Sequence, residues 1–162
     1  MTRYSRIEIR KQALNFSAAH FTIFNKTDRE NLHGHNFQVE CELTAPVGDD
    51  GLMFDYGIIK SALRELCDEL DEQMILPAHS PHLTIEEDGE YSVAIFNGER
   101  LPFLSRDLTV LPIANSTVEE LSNHLLGLLV DHSSFAERGI IEMTVKVSSS
   151  PGQTGCSTWK KT

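Results

Sequence analysis

Apolar and polar residues alternate along three stretches of the chain, which predicts three half-buried strands. Residues 7–20 alternate in two phases, and the change of phase near residues 11–13 predicts a bulge or bend there. Residues 37–44 alternate as one strand of an antiparallel pair. Residues 141–147 alternate in the same way, and a turn separates this strand from a short closing segment around Trp159.

Two further stretches carry apolar residues at helical spacing. Over residues 55–70 they recur every three to four positions, and the first of these residues, an aspartate, is a suitable N-cap. One face of this helix is expected to cover a sheet. A second helix is predicted to begin at Ser116 or Thr117, because Ser116 and Glu119 match the S-x-x-E capping box, and to end before Gly139.

Between the two helices, turn signals separate short runs of strand-forming residues. Asp88-Gly89 and Asn97-Gly98 divide residues 83–104 into a predicted β-meander, and residues 108–113 follow as a strand. The order is therefore a strand pair, a helix, a small meander, a helix and a strand pair. This order predicts an α+β fold rather than a βαβ series, and residues 1–162 are expected to form a single domain.

The overall charge limits the partners that are expected. With 14 basic and 24 acidic residues, the chain has a formal net charge of -10 and should repel a phosphate backbone, so no nucleic-acid partner is expected. No apolar run approaches the roughly 20 residues of a membrane span, and no secretory signal is recognised. We therefore predict a cytoplasmic protein without a membrane partner. Its three widely spaced cysteines are expected to be free thiols.

The strongest candidate for chemistry is the segment His33-Gly34-His35. Residues two apart on a strand point to the same face, about 7 Å apart, and one metal ion can bridge that separation. His20 ends the preceding predicted strand, so antiparallel pairing across the loop 21–32 can bring its imidazole alongside. Three histidines with one open position are typical of a catalytic zinc site, so the pattern predicts bound Zn²⁺. An HxH pair alone also fits two ordinary surface or core histidines.

The surroundings of these histidines resemble one enzyme family. The sequence contains FSAAHF, LHGHNF, MFDYGIIK, LDE and NSTVEEL in the order and spacing of the 6-pyruvoyltetrahydropterin synthase and 6-carboxytetrahydropterin synthase family, from residue 16 to the C-terminus. The resemblance implies a tunnelling fold, a four-stranded antiparallel sheet with two helices on one face. It implies zinc held by His20, His33 and His35, a pterin substrate such as dihydroneopterin triphosphate, and a homo-oligomer, either a trimer or a hexamer.

The chain departs from this family at the usual general base, a cysteine shortly before the second zinc histidine. Here the loop 27–31 reads TDREN and contains no cysteine. Cys41 and Cys67 are expected to be buried, unreactive thiols. Glu30 is the candidate base, and one branch of the family has a glutamate in this position and forms 6-hydroxymethyl-dihydropterin, a folate precursor. The alternative is that Glu30 is a solvated loop charge.

A second departure concerns proton transfer. The family usually has an Asp-His pair where this sequence reads Asp71-Glu72, so these two residues are candidate catalytic residues with the histidine lost. His79 or His82, on the following loop, could supply an imidazole instead. The alternative is that these two histidines are simply exposed.

A third departure concerns substrate binding. The resemblance assigns Ser149 to the position of the family's pterin-anchoring glutamate, and a serine cannot make that charge-assisted contact. Thr117 and Glu119 remain candidate substrate ligands, although a capping role would explain Glu119 equally well. Lys26 and Arg29 are candidates for neutralising the phosphates of the substrate.

Two functions fit these residues. The first is a zinc-dependent lyase that breaks a carbon–oxygen or carbon–carbon bond in dihydroneopterin triphosphate or a related pterin, forming a 6-pyruvoyl-, 6-carboxy- or 6-hydroxymethyl-pterin. The second is a diverged relative that keeps the scaffold and zinc but binds a different ligand and has no pterin synthase activity. The joint loss of the cysteine, the histidine and the anchoring glutamate is an argument for the second, and the first is the function predicted here.

Overall fold

The computed structural model describes residues 2–162 and confirms the predicted α+β class. Two α-helices and ten strands are found among these residues. In chain order they are β1 (Arg3–Ile9), β2 (Asn15–His20), β3 (His33–Val47), α1 (Tyr56–Leu70), β4 (Gln73–Pro77), β5 (Leu83–Asp88), β6 (Tyr91–Phe96), β7 (Glu99–Leu104), β8 (Leu108–Leu111), α2 (Val118–Val130), β9 (Glu142–Ser150) and β10 (Gln153–Lys160).

Seven strands form one mixed sheet, which corrects the four-stranded antiparallel sheet expected from the family resemblance. The order is β10-β9-β3-β2-β4-β8, with β1 paired to β3. β4 pairs in parallel with both β2 and β8. The sequence pattern does not reveal β4, because four of its five residues are buried and no alternation marks the strand.

The long N-terminal strand expected over residues 7–20 is divided into two strands. β1 pairs with the C-terminal half of β3, whereas β2 pairs with its N-terminal half. Residues 12 and 13 form a turn between them, and the side-chain amide of Gln38 donates to the carbonyl oxygens of Lys11 and Leu14 at 2.9 and 2.8 Å. The predicted change of phase is therefore a turn between two strands rather than a bulge within one.

Both helices pack on one face of the sheet. The β3 residues on that face are apolar and at most 1% exposed, namely Phe37, Val39, Cys41, Leu43 and Ala45. Ile59 of α1 and Leu121 of α2 belong to the same buried cluster. α1 begins after the predicted N-cap Asp55, whose carboxylate accepts from the N–H of Gly57 at 2.8 Å. Within residues 2–162, neither helix is long and apolar enough to cross a membrane.

The predicted β-meander covers the other face of the sheet. β5, β6 and β7 form a three-stranded antiparallel sheet, and the turn between β6 and β7 has positive φ at Asn97 (48°) and Gly98 (80°), as an Asn-Gly hairpin turn requires. Phe96 packs with Phe21 and Leu76, whose side chains alternate with those of the helix-side core. The main sheet is therefore enclosed by the two helices on one side and, near β2 and β4, by the meander on the other.

Candidate metal centre

Three histidines meet where β2 ends and β3 begins. The two strands are antiparallel, with His20 opposite His33 and Ala18 opposite His35. Directly opposed residues share one face of a sheet, and residues two apart on β3 share it as well. One nitrogen from each of the three imidazoles lies within 4.8 Å of the other two. The structure therefore brings the three predicted metal ligands together at one end of the helix-side core.

Hydrogen bonds determine which nitrogen of two of these rings carries the proton. Nδ1 of His20 lies 2.6 Å from the carbonyl oxygen of Ser116, and Nδ1 of His33 lies 2.8 Å from the carbonyl oxygen of Asn31. Because a carbonyl oxygen can only accept, each Nδ1 is the donor, and Nε2 of each neutral ring keeps its lone pair. This is the tautomer in which Nε2 can bind a metal ion.

The surroundings of His20 fit the role of a metal ligand. It is 5% exposed, and among the described residues its buried Nε2 has no hydrogen-bond partner. Burial lowers the pKa of His20, and this effect outweighs the Ser116 carbonyl, which raises it. A bound metal would satisfy a buried polar atom whose isolation costs about 1–3 kcal/mol. A neutral set of three imidazoles fits Zn²⁺.

The histidines line a cleft of about 420 Å³, a size typical of small-ligand sites. Glu30 lines the same cleft, with its Oε2 3.9 Å from Nε2 of His33. Oε2 accepts from the N–H of Thr22 at 2.9 Å, and the N–H of Glu30 donates to the carbonyl oxygen of Thr22 at 2.9 Å. Partial burial raises the pKa of Glu30, but the hydrogen bonds from Thr22 and the nearby histidines outweigh it and lower the pKa overall. Glu30 is therefore an ionised carboxylate at neutral pH, held beside the candidate ligands.

The N-terminal end of α2 also reaches the cleft, and its N-cap is Thr117, one of the two residues at which the helix was predicted to begin. Thr117 is the N-cap and accepts from the N–H of Glu120 at 3.4 Å, while the carboxylate of Glu120 accepts from the N–H of Ala114 at 2.8 Å. The predicted capping box of Ser116 and Glu119 is therefore wrong, since neither side chain caps the first turn of α2. Within residues 2–162 the Glu119 carboxylate has no hydrogen-bond partner, so capping of α2 does not explain why a glutamate occupies this position.

All three predicted substrate ligands line this cleft, since Ser149 joins Thr117 and Glu119 there. Ser149 lies near the end of β9, and Ser150 and Gln153 extend the lining along the hairpin to β10. Where the family resemblance leads us to expect an anchoring carboxylate, this hairpin offers hydroxyl and amide groups. The carboxylates of the cleft are those of Glu30 and Glu119, among the residues that the structure describes.

Gly155 of β10 allows the first turn of α2 to approach closely. A Cβ at this position would lie 2.4 Å from the carbonyl oxygen of Val118 and 2.7 Å from the backbone nitrogen of Glu119, distances that real Cβ atoms essentially never show. The missing side chain therefore permits the packing that brings Thr117 and Glu119 to the cleft.

Comparison with known proteins identifies the family. Residues 8–157 match the sequence model of the family described as 6-pyruvoyl tetrahydropterin synthase. The chain belongs to this family. The crystal structure of 6-pyruvoyl tetrahydropterin synthase from Plasmodium vivax is 31% identical and superposes with a TM-score of 0.92 over 98% of this chain and 99% of that one. The enzyme from Plasmodium falciparum is also 31% identical, with a TM-score of 0.91 and the same coverage.

Other relatives in the pterin synthase family are named for a different product. A protein of Methanocaldococcus jannaschii, provisionally named a 6-carboxy-5,6,7,8-tetrahydropterin synthase, is 29% identical over 155 residues, 88% of each chain. The 6-carboxy-5,6,7,8-tetrahydropterin synthase of Rickettsia typhi is 26% identical over 125 residues, 75% of this chain and 83% of that protein. The predicted enzyme class, a lyase like 6-pyruvoyltetrahydropterin synthase, is therefore confirmed at the level of the family.

Asp71 and Glu72 lie outside the cleft of this pterin synthase-like chain. The Asp71 carboxylate accepts from the N–H of Ser17 at 2.7 Å, and the N–H of Glu72 donates to the carbonyl oxygen of Ser17 at 2.7 Å. Ser17 faces the side of β2 opposite to His20. Glu72 lines a groove that includes residues of the sheet and of the meander. Within a single chain, these two predicted catalytic residues therefore lie away from the three histidines.

The histidines and cysteines considered as alternative catalytic groups also lie away from the cleft. His79 and His82 are exposed, and among the described residues neither lines it. Cys41 and Cys67 are buried as predicted, and burial raises their pKa to about 12 and about 11. These thiols are therefore protonated at neutral pH and do not replace the absent catalytic cysteine.

Arg29 is held in place by contacts with residues outside the cleft lining and with the backbone of Glu30. Its guanidinium lies 4.8 Å from the ring centroid of Phe21 and donates to the carbonyl oxygen of Glu30 at 2.8 Å. It also pairs with Glu99 of the meander at 3.5 Å. Neither Arg29 nor the exposed Lys26 is among the described residues that line the cleft.

Phe24 is a cleft residue that the sequence pattern did not single out. Its ring is 60% exposed, whereas the other apolar residue that lines the cleft, Val118, is 9% exposed. The N–H groups of Phe24 and Asn25 both donate to the carbonyl oxygen of Asp28, at 3.0 and 3.2 Å, so the loop that carries the ring is ordered by its own turn. The available sequence signal was a second aromatic residue, after Phe21, in the loop between two of the predicted histidine ligands.

Proposed function

We propose that this protein is a zinc-dependent lyase that cleaves a carbon–carbon bond in the side chain of dihydroneopterin triphosphate, or a related pterin, and releases a 6-hydroxymethyl-pterin. The observation that carries the proposal is the Glu30 carboxylate, 3.9 Å from Nε2 of His33 in the cleft that the three histidines line. The family branch that forms this product has a glutamate in place of the usual cysteine. Variants of the Plasmodium vivax enzyme, in which a glutamate described as a catalytic residue is replaced, support the same role for Glu30.

His20, His33 and His35 would hold the zinc ion. When bound, zinc supplies a Lewis acid that binds side-chain oxygens of the pterin and makes nearby protons more acidic. The carbonyl groups of Ser116 and Asn31 orient two of the three imidazoles through their Nδ1 protons. These contacts keep Nε2 of His20 and His33 directed at one point without rearrangement during the reaction.

Glu30 would act as the general base on a side-chain hydroxyl group of the substrate. Its carboxylate accepts the hydroxyl proton while the adjacent carbon–carbon bond breaks, and the carbon that bore this hydroxyl group leaves as an aldehyde that carries the triphosphate. The electron pair of the broken bond moves into the conjugated C=N bond of the dihydropterin ring. The carbon that stays on the ring then regains a proton from Glu30, so neither water nor an oxidant is consumed. One carboxylate is sufficient for this sequence.

The rest of the cleft suits a planar heterocycle with polar edges. Phe24 offers an exposed aromatic face on which a pterin ring can stack. Glu119 and Thr117 offer oxygen acceptors for ring N–H and amino groups. Ser149 would add a neutral hydrogen bond where the family has a carboxylate. Replacing Phe24 with alanine should therefore raise KM with little change in kcat, whereas L52A, which alters a similarly exposed apolar residue outside the cleft lining, should leave both unchanged.

Asp71 and Glu72 would take part in catalysis only at the cleft of a second copy of the chain. Within one chain they lie near Ser17, on the side of β2 away from His20. The trimer or hexamer implied by the family would supply such a second copy. Mixing inactive E30Q and D71N subunits tests this role, because activity regained in the mixed oligomer requires a shared site. Full activity of D71N on its own would show that Asp71 is only structural.

Product analysis tests the proposed reaction. The zinc-loaded protein is incubated with dihydroneopterin triphosphate, and the products are identified by mass. We expect 6-hydroxymethyl-dihydropterin, and we expect E30Q to lower kcat by about 10²–10⁴-fold with unchanged zinc content. E65Q, on an exposed part of α1, is the matched control and should keep full activity. Full turnover by E30Q would refute the base, and a 6-carboxy or 6-pyruvoyl product would refute the assigned reaction.

The second candidate is a diverged relative that binds zinc but has no pterin synthase activity. The serine at position 149 and the distance of Asp71 and Glu72 from the cleft favour it. It predicts one zinc ion per chain and no turnover of any of these pterins. Elemental analysis beside the product assay separates the two, because the first candidate requires both zinc and turnover.

A further inference from the structure

The side chain of Asn115, which lies just before α2, is hydrogen-bonded to the loop that carries the candidate base. We call this loop, residues 21–32, the base loop. Oδ1 of Asn115 accepts from the N–H of Ile23 at 3.0 Å, and its Nδ2 donates to the carbonyl oxygen of Ile23 at 2.8 Å. Oδ1 also accepts from the N–H of Ser116 at 3.0 Å. The amide of Asn115 therefore pairs with both backbone polar groups of one loop residue and with the residue that precedes the α2 cap.

Both partners of Asn115 lead directly to a residue of the candidate site, Ser116 to His20 and Ile23, through its neighbour Thr22, to Glu30. The carbonyl oxygen of Ser116 accepts from Nδ1 of His20 at 2.6 Å, and Ser116 is 1% exposed. On the other side, Thr22 immediately precedes Ile23 and exchanges two hydrogen bonds with Glu30, both at 2.9 Å. The Asn115 amide thus lies between the group that orients a candidate metal ligand and the group that orients the candidate base.

The base loop has few other polar contacts that fix its distance from α2. β2 ends at His20, and beyond it Ile23 forms an isolated β-bridge with Arg29 of the same loop. The buried side chains of Phe21 and Ile23 pack in the meander-side cluster, on the face of the sheet away from α2. Within residues 2–162, the two hydrogen bonds between Asn115 and Ile23 are those that tie the base loop to residues 114–117.

We propose that Asn115 is a positioning residue whose side-chain amide holds Glu30 and His20 at a fixed separation. This rests on the proposed function, in which His20 holds zinc and Glu30 removes a proton from the substrate. Asn115 does not line the cleft and acts only through Ile23 and Ser116. Misplacing a reacting group by about 1 Å can lower a rate about 100-fold, so the effect on kcat should exceed the effect on folding.

Two variants remove different numbers of these hydrogen bonds. N115A removes all three hydrogen bonds, whereas N115D can keep both acceptor contacts and loses the donor to the Ile23 carbonyl. We expect zinc affinity, measured by competition with a chromophoric chelator, to fall by about 10–100-fold in N115A, the range found for outer contacts of metal-binding histidines. We also expect kcat to fall by at least about 10-fold, with a smaller change in KM. N115D should lie between the wild type and N115A in both measurements.

Gln38 provides a matched control. Its side-chain amide also makes three hydrogen bonds, to the carbonyl oxygens of Lys11, Leu14 and Val39 at 2.9, 2.8 and 3.4 Å, at the turn between β1 and β2. Q38A should lower the melting temperature (Tm) about as much as N115A does, yet keep wild-type zinc affinity and kcat. If N115A fails to fold, N115D is compared with Q38A instead.

The proposal is overturned if the Asn115 variants match Q38A in zinc affinity and kcat, because Asn115 would then act only on stability. Failure of the proposed function gives a different result. If the wild type binds zinc but turns over no pterin, the lyase assignment fails, and the comparison of zinc affinities still decides whether Asn115 positions His20.

Discussion

Replacing Gly155 with alanine perturbs the contact that brings α2 to the cleft. The new Cβ would lie 2.4 Å from the carbonyl oxygen and 2.5 Å from the carbonyl carbon of Val118, and 2.7 Å from the nitrogen of Glu119. Ordinary contact begins near 3.4 Å, so the first turn of α2 must shift by up to about 1 Å (3.4 − 2.4). Because all three atoms belong to the backbone, no side chain can move aside to relieve the contact.

This overpacking should lower the free energy of unfolding by about 2–3 kcal/mol. For a chain of 162 residues that corresponds to a Tm lower by roughly 4–12 °C. The same shift displaces Thr117 and Glu119, so KM for the pterin should rise in steady-state assays. The control is G127A in α2, whose Cβ would have no atom within 4 Å and which should stabilise the protein by about 0.5–1 kcal/mol. A G155A variant with wild-type Tm and KM would refute this account of the cleft.

Three further predictions concern other parts of the molecule. In the native protein only Cys156 should react with a thiol reagent at pH 8, because the other two cysteines are buried with raised pKa values, and all three should react after denaturation. Two reactive native thiols would contradict this. Burial lowers the pKa of His124 against the opposing charge of Glu69, so the unfolded state binds more protons as the pH falls below about 6.5, and stability is lost there. Denaturant titrations at pH 7 and pH 5 should show a smaller loss for H124Q, and equal losses would contradict the assignment. L121A, at a fully buried position of α2, should lower the free energy of unfolding by about 2–5 kcal/mol, while L128A, 42% exposed, should change it by less than about 0.5 kcal/mol.

The convergence of the histidines could be predicted from the sequence. Residues two apart on a strand share one face, and imidazole is a common metal ligand. His33 and His35 continue the phase of Phe37, which is fully buried on the helix side of β3. Alternation alone therefore assigns both imidazoles to the face that the helices cover. The pairing that sets His20 opposite His33 follows from antiparallel pairing across one loop. Short-range pattern was sufficient for this half of the site.

The parallel edge of the sheet could not be predicted by the same means. The segment 73–77 follows α1 almost directly and is apolar on both faces, so neither a turn signal nor alternation marks it as a strand. Its position beside β2 determines which side of the sheet Asp71 and Glu72 approach. Motif spacing gave these two residues a catalytic role, but a long-range pairing decides where they lie.

The error at the α2 cap has a local cause that tertiary structure resolves. The sequence offers two overlapping capping boxes, one from Ser116 to Glu119 and one from Thr117 to Glu120. Ser116 is instead buried, and its hydroxyl donates to the carbonyl oxygen of Ile75 at 3.3 Å. This contact removes Ser116 from the cap and leaves Glu119 directed at the cleft rather than at its own backbone.

The burial phase of β2 explains why the site lies at the end of the core. Along β2 the buried phase runs through Phe16 and Ala18, and at the next position of that phase His20 replaces an apolar residue. A buried imidazole with an unpartnered Nε2 is less favourable for folding than an apolar side chain would be. Ser116 satisfies only its Nδ1. The buried Nε2 therefore destabilises the folded chain, and a bound metal ion would remove this penalty. Metal binding at the site should thus stabilise this end of the core.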